Sequence, residues 1–449
     1  MYKMFHIIFS QKDQRAYFKT YFYAYLLIKI KIRKEFIQLN NYPGFHNFQD
    51  YQNRKVLFIK DNSIYEKILI SYSINNATKG QPVKYLEVRI TPQESLDNNI
   101  SFIKYLDKTV SCPHKKTQIF SNKTLEHPNF FYIFHFIKNE SKDSIPFKIL
   151  MTPRNNSLRE KVKEQTMALN LLRRQYCNTK DRFIGVDAAS SEIGYRPEIF
   201  AQAFRYLKKY SCELNNHFFE SSSLNPLGFT YHVGEDFLDI TDGLRAIDET
   251  IKFLNFRKGD RLGHCLALGV SPSQYYTLKK KCIILPKQDL LDNIVWLLMQ
   301  IRLFNITCPA SLILEFHQLY EELWDDIYPP FDDNINIPYE IYYLSWLLRG
   351  DNPNIYLDSN FRKTGIYTPI TYWECCALNR YSEEIHQARK NRRARDIYFY
   401  YHFNRKVREN GRQYYEYKIK DDYIQLVENI QNAFMFDISE KQLAIETNP

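Results

Sequence analysis

The chain has 449 residues, 44% apolar and 25% charged, which is ordinary for a globular protein with room for one large core or two domains. Its net charge of +10 indicates a lysine-rich surface, with attraction to nucleotides or nucleic acid as the sharper alternative. The eight cysteines form no CxxC pair, which argues against a zinc ribbon. With no secretory leader and no apolar run long enough to span a bilayer, we expect reduced thiols, a cytoplasmic location and no membrane partner.

The first 80 residues predict an irregular or helical N-terminal segment. Within it, residues 17–36 are aromatic and basic and fit either a helix or a strand. From residue 81 onward, β-rich runs alternate with helical patterns. The β-rich runs cover residues 83–90, 147–152, 182–187 and 228–231, and a fifth run ends at His264.

Helical patterns lie between these runs, at residues 158–172, from Pro197 onward, and along an apolar stripe at 244–254. Strands that alternate with helices predict parallel strands joined by crossover helices. Five such units favour a (β/α)8 barrel of the TIM type or a doubly wound sheet. We therefore predict an α/β fold with a barrel core over residues 81–270. A large helical insertion over 271–435 and a strand resuming within 436–449 complete the prediction.

Polar residues stand where three of the predicted strands end. Asp187, His232 and His264 close their β-rich runs, and Glu235 follows His232 by three positions. In a barrel of parallel strands, chemistry gathers at the carboxyl ends of the strands. A histidine ligand, a carboxyl group that carries a proton and a second histidine that handles water are the residue types of metal-assisted hydrolysis.

These residues belong to an ordered series of motifs that resembles the adenosine deaminase superfamily of metal-dependent hydrolases. The motifs match the family's second to seventh strands in order: YLEVRITP at 85–92, ILMTPR at 149–154, GVDAASSE at 185–192, HVGE at 232–235, DRLGH at 260–264 and LAIETNP at 443–449. The insertion and the sequences HVGED, DAASSE and GDRLGH look closest to the large deaminase subunit of the bacterial RADAR phage-defence system. The resemblance implies a (β/α)8 fold that is incomplete, with strands two to seven recognisable and the insertion between strands six and seven.

The resemblance also implies roles for five residues. His232 would be a zinc ligand, Glu235 would protonate a purine ring nitrogen, and His264 would orient or deprotonate the attacking water. Ser190 stands where the family has a glycine whose backbone contacts the purine, and Asp187 precedes it as a second candidate for substrate binding. The implied activity is hydrolytic deamination of an adenine nucleoside, a nucleotide or adenosine in RNA, in an anti-phage context.

Part of the family's zinc site has no counterpart in the sequence. The family holds zinc with an H-x-H pair on its first strand and an aspartate on its eighth, and no H-x-H occurs here. Asp351 and Asp358 precede the seventh-strand motif, so neither takes the place of that aspartate. One imidazole does not hold zinc with an open water position. The sequence therefore predicts a chain truncated at both ends of the barrel, with an incomplete zinc site.

Three functions remain open from the sequence. The first is the deaminase-like hydrolase, expected as a homo-oligomer with an ATPase partner if the RADAR resemblance extends that far. The second is a non-catalytic scaffold or assembly subunit of a deaminase complex, in which the insertion makes the subunit contacts. The third is a nucleic-acid-binding module, for which the basic segment 389–395 beside the tyrosines at 398–401 is the only support.

Overall fold

A computed structural model describes residues 15–36, 63–78, 85–111, 130–138, 151–176, 182–213, 226–330, 337–380 and 382–447. The chain divides into two compact units. The first comprises Met1–Lys84 with Lys104–Lys123, and the second comprises Tyr85–Ile103 with Thr124–Pro449.

The first unit is helical in its described part. It contains helices α1 (Arg15–Phe36) and α2 (Ser63–Thr78), and the C-terminal part of α3 (Leu96–Ser111). The aromatic and basic segment that fitted either a helix or a strand is therefore a helix. The hydroxyl of Tyr105 donates a hydrogen bond to Glu66 at 3.1 Å, which ties α3 to α2.

The second unit is built on a six-stranded parallel sheet with the strand order β1-β2-β3-β4-β5-β8. Its strands are β1 (Leu86–Ile90), β2 (Phe130–Lys138), β3 (Phe183–Ser190), β4 (Gly228–Val233), β5 (Arg261–His264) and β8 (Ala444–Glu446). The first five strands follow the order of the chain, as successive strand–helix units require. The predicted α/β fold with parallel strands is confirmed, whereas the described residues form an open sheet and do not confirm a closed barrel.

The sheet is strongly curved. A flat sheet would hold its outer strands β1 and β8 roughly 24 Å apart, from five steps of about 4.8 Å. Instead the guanidinium of Arg89 on β1 contacts the carboxylate of Glu446 on β8 directly. Arg261 on β5 extends the link, since it reaches Glu87 on β1 at 3.0 Å and Glu446 at 3.0 Å. The outer strands are thus joined by an ion-pair network on one face of the sheet.

The opposite face of the sheet is apolar and packs against the crossover helices. The connections are α3, then α4 (Asn156–Gln175), a 3-10 turn (Pro197–Ile199) with α5 (Ala201–Glu213), and α6 (Ile240–Phe253). Phe204 on α5 is fully buried and lies 5.9 Å from Phe229 and 5.6 Å from Tyr231 on β4, measured between ring centroids. Aromatic side chains therefore pack this helix against β4, the strand whose end carries part of the candidate site.

The described residues between β5 and β8, which include those of the insertion predicted at 271–435, are mostly helical but contain one antiparallel strand pair. Their helices are α7 (Leu266–Gly269), α8 (Pro272–Leu278), α9 (Lys287–Leu303), α10 (Ala310–Ile327), α11 (Tyr339–Leu348), α12 (Ser359–Thr364), α13 (Tyr372–Cys375), α14 (Glu383–Lys390), α15 (Arg392–Phe403), α16 (Arg405–Gly411) and α17 (Asp421–Glu440), with a 3-10 turn at Pro353–Leu357. Strands β6 (Cys282–Pro286) and β7 (Tyr414–Lys418) pair with each other. Helix α17 leads back to the parallel sheet at β8.

One predicted strand lies mostly outside the described residues. Of the strand predicted at 147–152, residues 147–150 are outside the described part of the chain. Met151 and Thr152, which are described, are not in a strand. The strand between β1 and β3 is instead β2, whose sequence FFYIFHFIK is the longest β-rich run of the sheet.

Candidate functional site at the carboxyl ends of the strands

Four of the five predicted site residues form one cluster at the carboxyl ends of β3, β4 and β5. His232 on β4 and His264 at the end of β5 have ring centroids 5.0 Å apart. Asp187 on β3 bonds to His232, and Glu235 in the loop after β4 bonds to His264. Ser190 closes β3 and stands in register with Lys138 on β2.

The buried carboxylate of Asp187 orients the imidazole ring of His232. Its Nδ1 lies 3.0 Å from Oδ1 of Asp187, which is inaccessible to solvent. The second oxygen of Asp187 accepts a hydrogen bond from Arg89 Nε at 2.9 Å. Burial alone would raise the pKa of Asp187, but the contacts with His232 and Arg89 lower it below its usual value. The ionised carboxylate of Asp187 accepts a hydrogen bond from Nδ1 of His232, which fixes the orientation of the imidazole ring.

Glu235 and His264 form the second pair of the site. Oε2 of Glu235 lies 3.2 Å from Nε2 of His264. Burial raises the pKa of Glu235 to about 7, and nearby Glu192 adds to the shift while His232 and Lys138 oppose it. Burial, then the charge of His232, lowers the pKa of His264. The pair therefore holds a carboxyl group that gains and loses its proton near neutral pH, beside an imidazole that favours its neutral form.

The loop that carries Glu235 is held by a residue from the neighbouring strand end. Glu192, buried after β3, accepts backbone hydrogen bonds from Gly234 at 2.8 Å, Glu235 at 2.9 Å and Asp236 at 3.2 Å. In the other direction, the carboxylate of Asp236 accepts a hydrogen bond from the hydroxyl of Ser191 at 3.1 Å. The loops after β3 and β4 thus lock each other, which fixes the position of the Glu235 carboxyl group.

Lys138, at the end of β2, is buried among the carboxylates of the site. Its ammonium group donates to the backbone oxygen of His232 and lies 4.3 Å from the ring centroid of Tyr231. Burial lowers the pKa of Lys138, while Glu192 and Glu235 oppose that shift. Lys138 therefore supplies the positive charge that offsets the acidic groups of the two loops.

Three strand ends at the site have backbone conformations that favour glycine. Ser190 has a φ of 87° and His264 a φ of 61°, both unusual for residues with side chains. Gly234 has a φ of 68°, and a Cβ atom there would lie 2.8 Å from Cδ1 of Ile247. The glycine that the family resemblance places at position 190 is thus replaced by a serine that keeps a glycine-like backbone.

Sequence reasoning missed Lys138, Glu192 and Arg89 as parts of this site. Glu192 is the last residue of the GVDAASSE motif, which was the signal available in the sequence. Its contact with Gly234, however, joins residues 42 positions apart in the chain. Lys138 ends a strand that the sequence analysis did not assign. Arg89 is in the YLEVRITP motif, but its contact with Asp187 depends on the register of three strands.

The described residues do not fit the zinc ion that the resemblance implies. No group of three His, Cys, Asp or Glu residues among them is placed to hold a metal. Nδ1 of His232 bonds to Asp187, and Glu235 and His264 bond to each other. His135 on β2 has a buried Nδ1 without a partner in the described part of the chain, but it supplies one further donor only. A tetrahedral zinc site needs three protein donors besides water.

Searches against protein-family models and against curated proteins find no match to this chain. Within the ranges described above, the structure contains no helix that is both long enough and apolar enough to cross a membrane.

Proposed function

We propose that this chain is an adenosine deaminase-like hydrolase that acts on the amidine C–N bond of an adenine ring. One observation carries the proposal: the carboxyl group of Glu235 lies 3.2 Å from His264 Nε2, and its pKa is raised to about 7. A group that titrates near neutral pH is suited to give a proton and take it back during one reaction cycle.

The proposed reaction assigns its proton transfers to Glu235 and His264. Glu235 donates its proton to the ring nitrogen next to the amino-bearing carbon, which makes that carbon electrophilic. His264 accepts a proton from the water that attacks the same carbon. The tetrahedral carbon then expels the amino group as ammonia with the proton from His264, and the new hydroxyl returns a proton to Glu235, so adenosine and water give inosine and ammonia. Asp187 and Lys138 position His232, the first through the imidazole ring and the second through the backbone oxygen.

The proposed substrates are adenine nucleosides, adenine nucleotides or adenosine in RNA, because all three present the same amidine. Ser190 is the proposed backbone contact to the purine, since its φ of 87° lies in the region that favours the glycine found there in the family. Asp187 is fully buried and bonded to His232, so we assign it to positioning His232 and not to direct contact with the substrate. Self-assembly and an ATPase partner, which the resemblance implies, remain part of this proposal.

Ammonia release tests the proposal. Wild-type chain is incubated with adenosine, adenosine monophosphate and an adenosine-containing RNA, each with and without added zinc, and ammonia is measured enzymatically. We expect release from at least one substrate, and we expect Glu235→Gln to slow it by about 100-fold or more. Glu160→Gln, an exposed glutamate on α4, serves as the control. Equal release by wild type and Glu235→Gln would overturn the proposal.

A second candidate function is that of a non-catalytic subunit that binds adenine compounds or assembles with an active partner. The observation that favours it is the Arg89 guanidinium, which occupies the space beside Asp187 and Glu446 with a fixed positive charge. A cation there disfavours a metal ion on the same carboxylates. Binding of adenosine without ammonia release, equal for adenosine and 1-deazaadenosine, would favour this function, because 1-deazaadenosine lacks the ring nitrogen that Glu235 protonates.

A further inference from the structure

A cavity lies at the opposite end of the strands from the candidate site. Its volume is about 820 Å³, within the range of roughly 300–1,000 Å³ that small-molecule sites have. It opens beside the loop before β5, at Arg257, and beside Lys441, which precedes β8. His264 stands at the other end of β5, roughly 13 Å along the strand from Asp260 at about 3.3 Å per residue.

The lining of this cavity is strongly basic. Six of its side chains are Arg or Lys and one is acidic, Glu384; the basic residues are Arg205, Lys208, Lys252, Arg257, Arg380 and Lys441. All three lysines have acidic partners, namely Asp260, Asp248 and Asp437. The two buried arginines are less well compensated, and they form the positive centre of the cavity.

Among the described residues, the buried guanidinium of Arg205 bonds to backbone oxygens and to no carboxylate. Its guanidinium donates to the carbonyl of Phe253 at 2.6 Å, of Cys376 at 2.9 Å and of Ala377 at 3.0 Å. Burial, then the charge of Arg380, lowers the pKa of Arg205 to about 9, so the group remains mostly cationic at neutral pH. A buried cation without a carboxylate partner is unfavourable unless an anion approaches it.

Arg380 adds to this excess of positive charge. It shares the fully buried carboxylate of Asp351 with Arg389, at 2.8 Å and 2.7 Å. Nη1 of Arg380 is buried and has no hydrogen-bond partner in the described part of the chain.

The rest of the wall is apolar. Ile251, Phe256, Leu347 and Ile385 line the same cavity. Arginine and lysine side chains are the usual partners of phosphate groups, and an apolar wall suits an aromatic base or another apolar moiety.

We propose that this cavity binds a phosphorylated small molecule of nucleotide size, at a site separate from the carboxyl-end cluster. The phosphate groups contact the basic lining, and the apolar wall holds the base. The buried guanidinium groups of Arg205 and Arg380 supply a positive electrostatic potential that attracts the anion. The exposed side chains Arg257 and Lys441 contact it at the rim.

Isothermal titration calorimetry of the full chain with two probes tests this proposal. The probes are GTP, which lacks the 6-amino group that the proposed reaction removes, and inorganic tripolyphosphate. We expect both to bind, and we expect Arg257→Gln/Lys441→Gln to weaken the binding by about fivefold, from two partly exposed charges. Tighter binding of GTP than of tripolyphosphate identifies a nucleotide site, and equal binding identifies an inorganic polyphosphate site.

The matched control is Lys258→Gln/Lys406→Gln, which removes the same charge from two exposed positions outside the cavity lining. Lys258 is the chain neighbour of Arg257, so this control separates a specific contact from general attraction to a basic surface. We expect it to leave both affinities unchanged, and we expect neither double variant to change ammonia release. Failure of both probes to bind wild type at millimolar concentration, or equal weakening by the two double variants, would overturn the proposal.

Discussion

The interlock between the loops after β3 and β4 predicts a specific effect of Glu192→Gln. The two carboxylate oxygens of Glu192 accept three backbone N–H groups, from Gly234, Glu235 and Asp236. A glutamine keeps one oxygen and replaces the other with an amide that donates. In its best orientation it retains the bonds from Glu235 and Asp236 and leaves the N–H of Gly234 without an acceptor. An unpaired buried N–H costs about 1–3 kcal/mol.

A loss of about 2 kcal/mol in the local stability of this loop corresponds to about 30-fold more frequent opening. Hydrogen–deuterium exchange of the peptide that contains residues 234–236 measures it directly. We expect exchange in Glu192→Gln to be faster by that factor, with Glu160→Gln unchanged. Unchanged protection of the loop in Glu192→Gln would refute the idea that this carboxylate holds Glu235 in place.

Three further predictions follow from the same region. Gly234→Ala should lower the free energy of unfolding by about 2–4 kcal/mol, because Gly234 has a positive φ and its Cβ would lie 2.8 Å from Ile247. The control Gly194→Ala should lower it by only about 1 kcal/mol, because Gly194 has a φ of 83° but no atom within 4 Å of its Cβ position. Equal losses would contradict the steric argument. The pKa of Glu235 rises from 4.5 in the unfolded chain to about 7 in the fold. Its contribution to the free energy of unfolding is therefore fully present below pH 4.5 and should be lost as the pH rises to about 7, by roughly 3 kcal/mol at most. Urea titrations of wild type and Glu235→Gln should therefore converge or cross over that interval, and a constant difference would contradict the shift. Finally, the purified chain should hold less than one tightly bound zinc per molecule by elemental analysis, and stoichiometric zinc would show that our donor assignment is incomplete.

Much of the sheet could be predicted from the sequence because its signals are local. The runs that became β3 and β4 are short and apolar and are followed by polar residues, and the apolar stripe of α6 has helical spacing. The return of a strand at 436–449 was also expected, and β8 lies there. These elements bring Asp187, His232 and His264 to one edge, so the centre of the candidate site followed from the motifs.

The features that were missed depend on contacts between distant parts of the chain. Strand β2 was overlooked because an apolar run at 147–152 fitted the rhythm, although the run at 130–138 is longer and more aromatic. The pairing of β6 with β7 joins segments about 130 residues apart, for which no local pattern exists. The curvature of the sheet likewise rests on the contact of Arg89 with Glu446 across the whole sheet.

The most direct test of the central claim is ammonia release from adenosine by wild type and by Glu235→Gln, measured side by side at pH 7. We expect ammonia release by wild type, and we expect it to fall by about 100-fold or more in Glu235→Gln, because glutamine has no carboxyl proton to donate. Release that is absent from wild type with every adenine substrate, or that is equal in the two proteins, would contradict it.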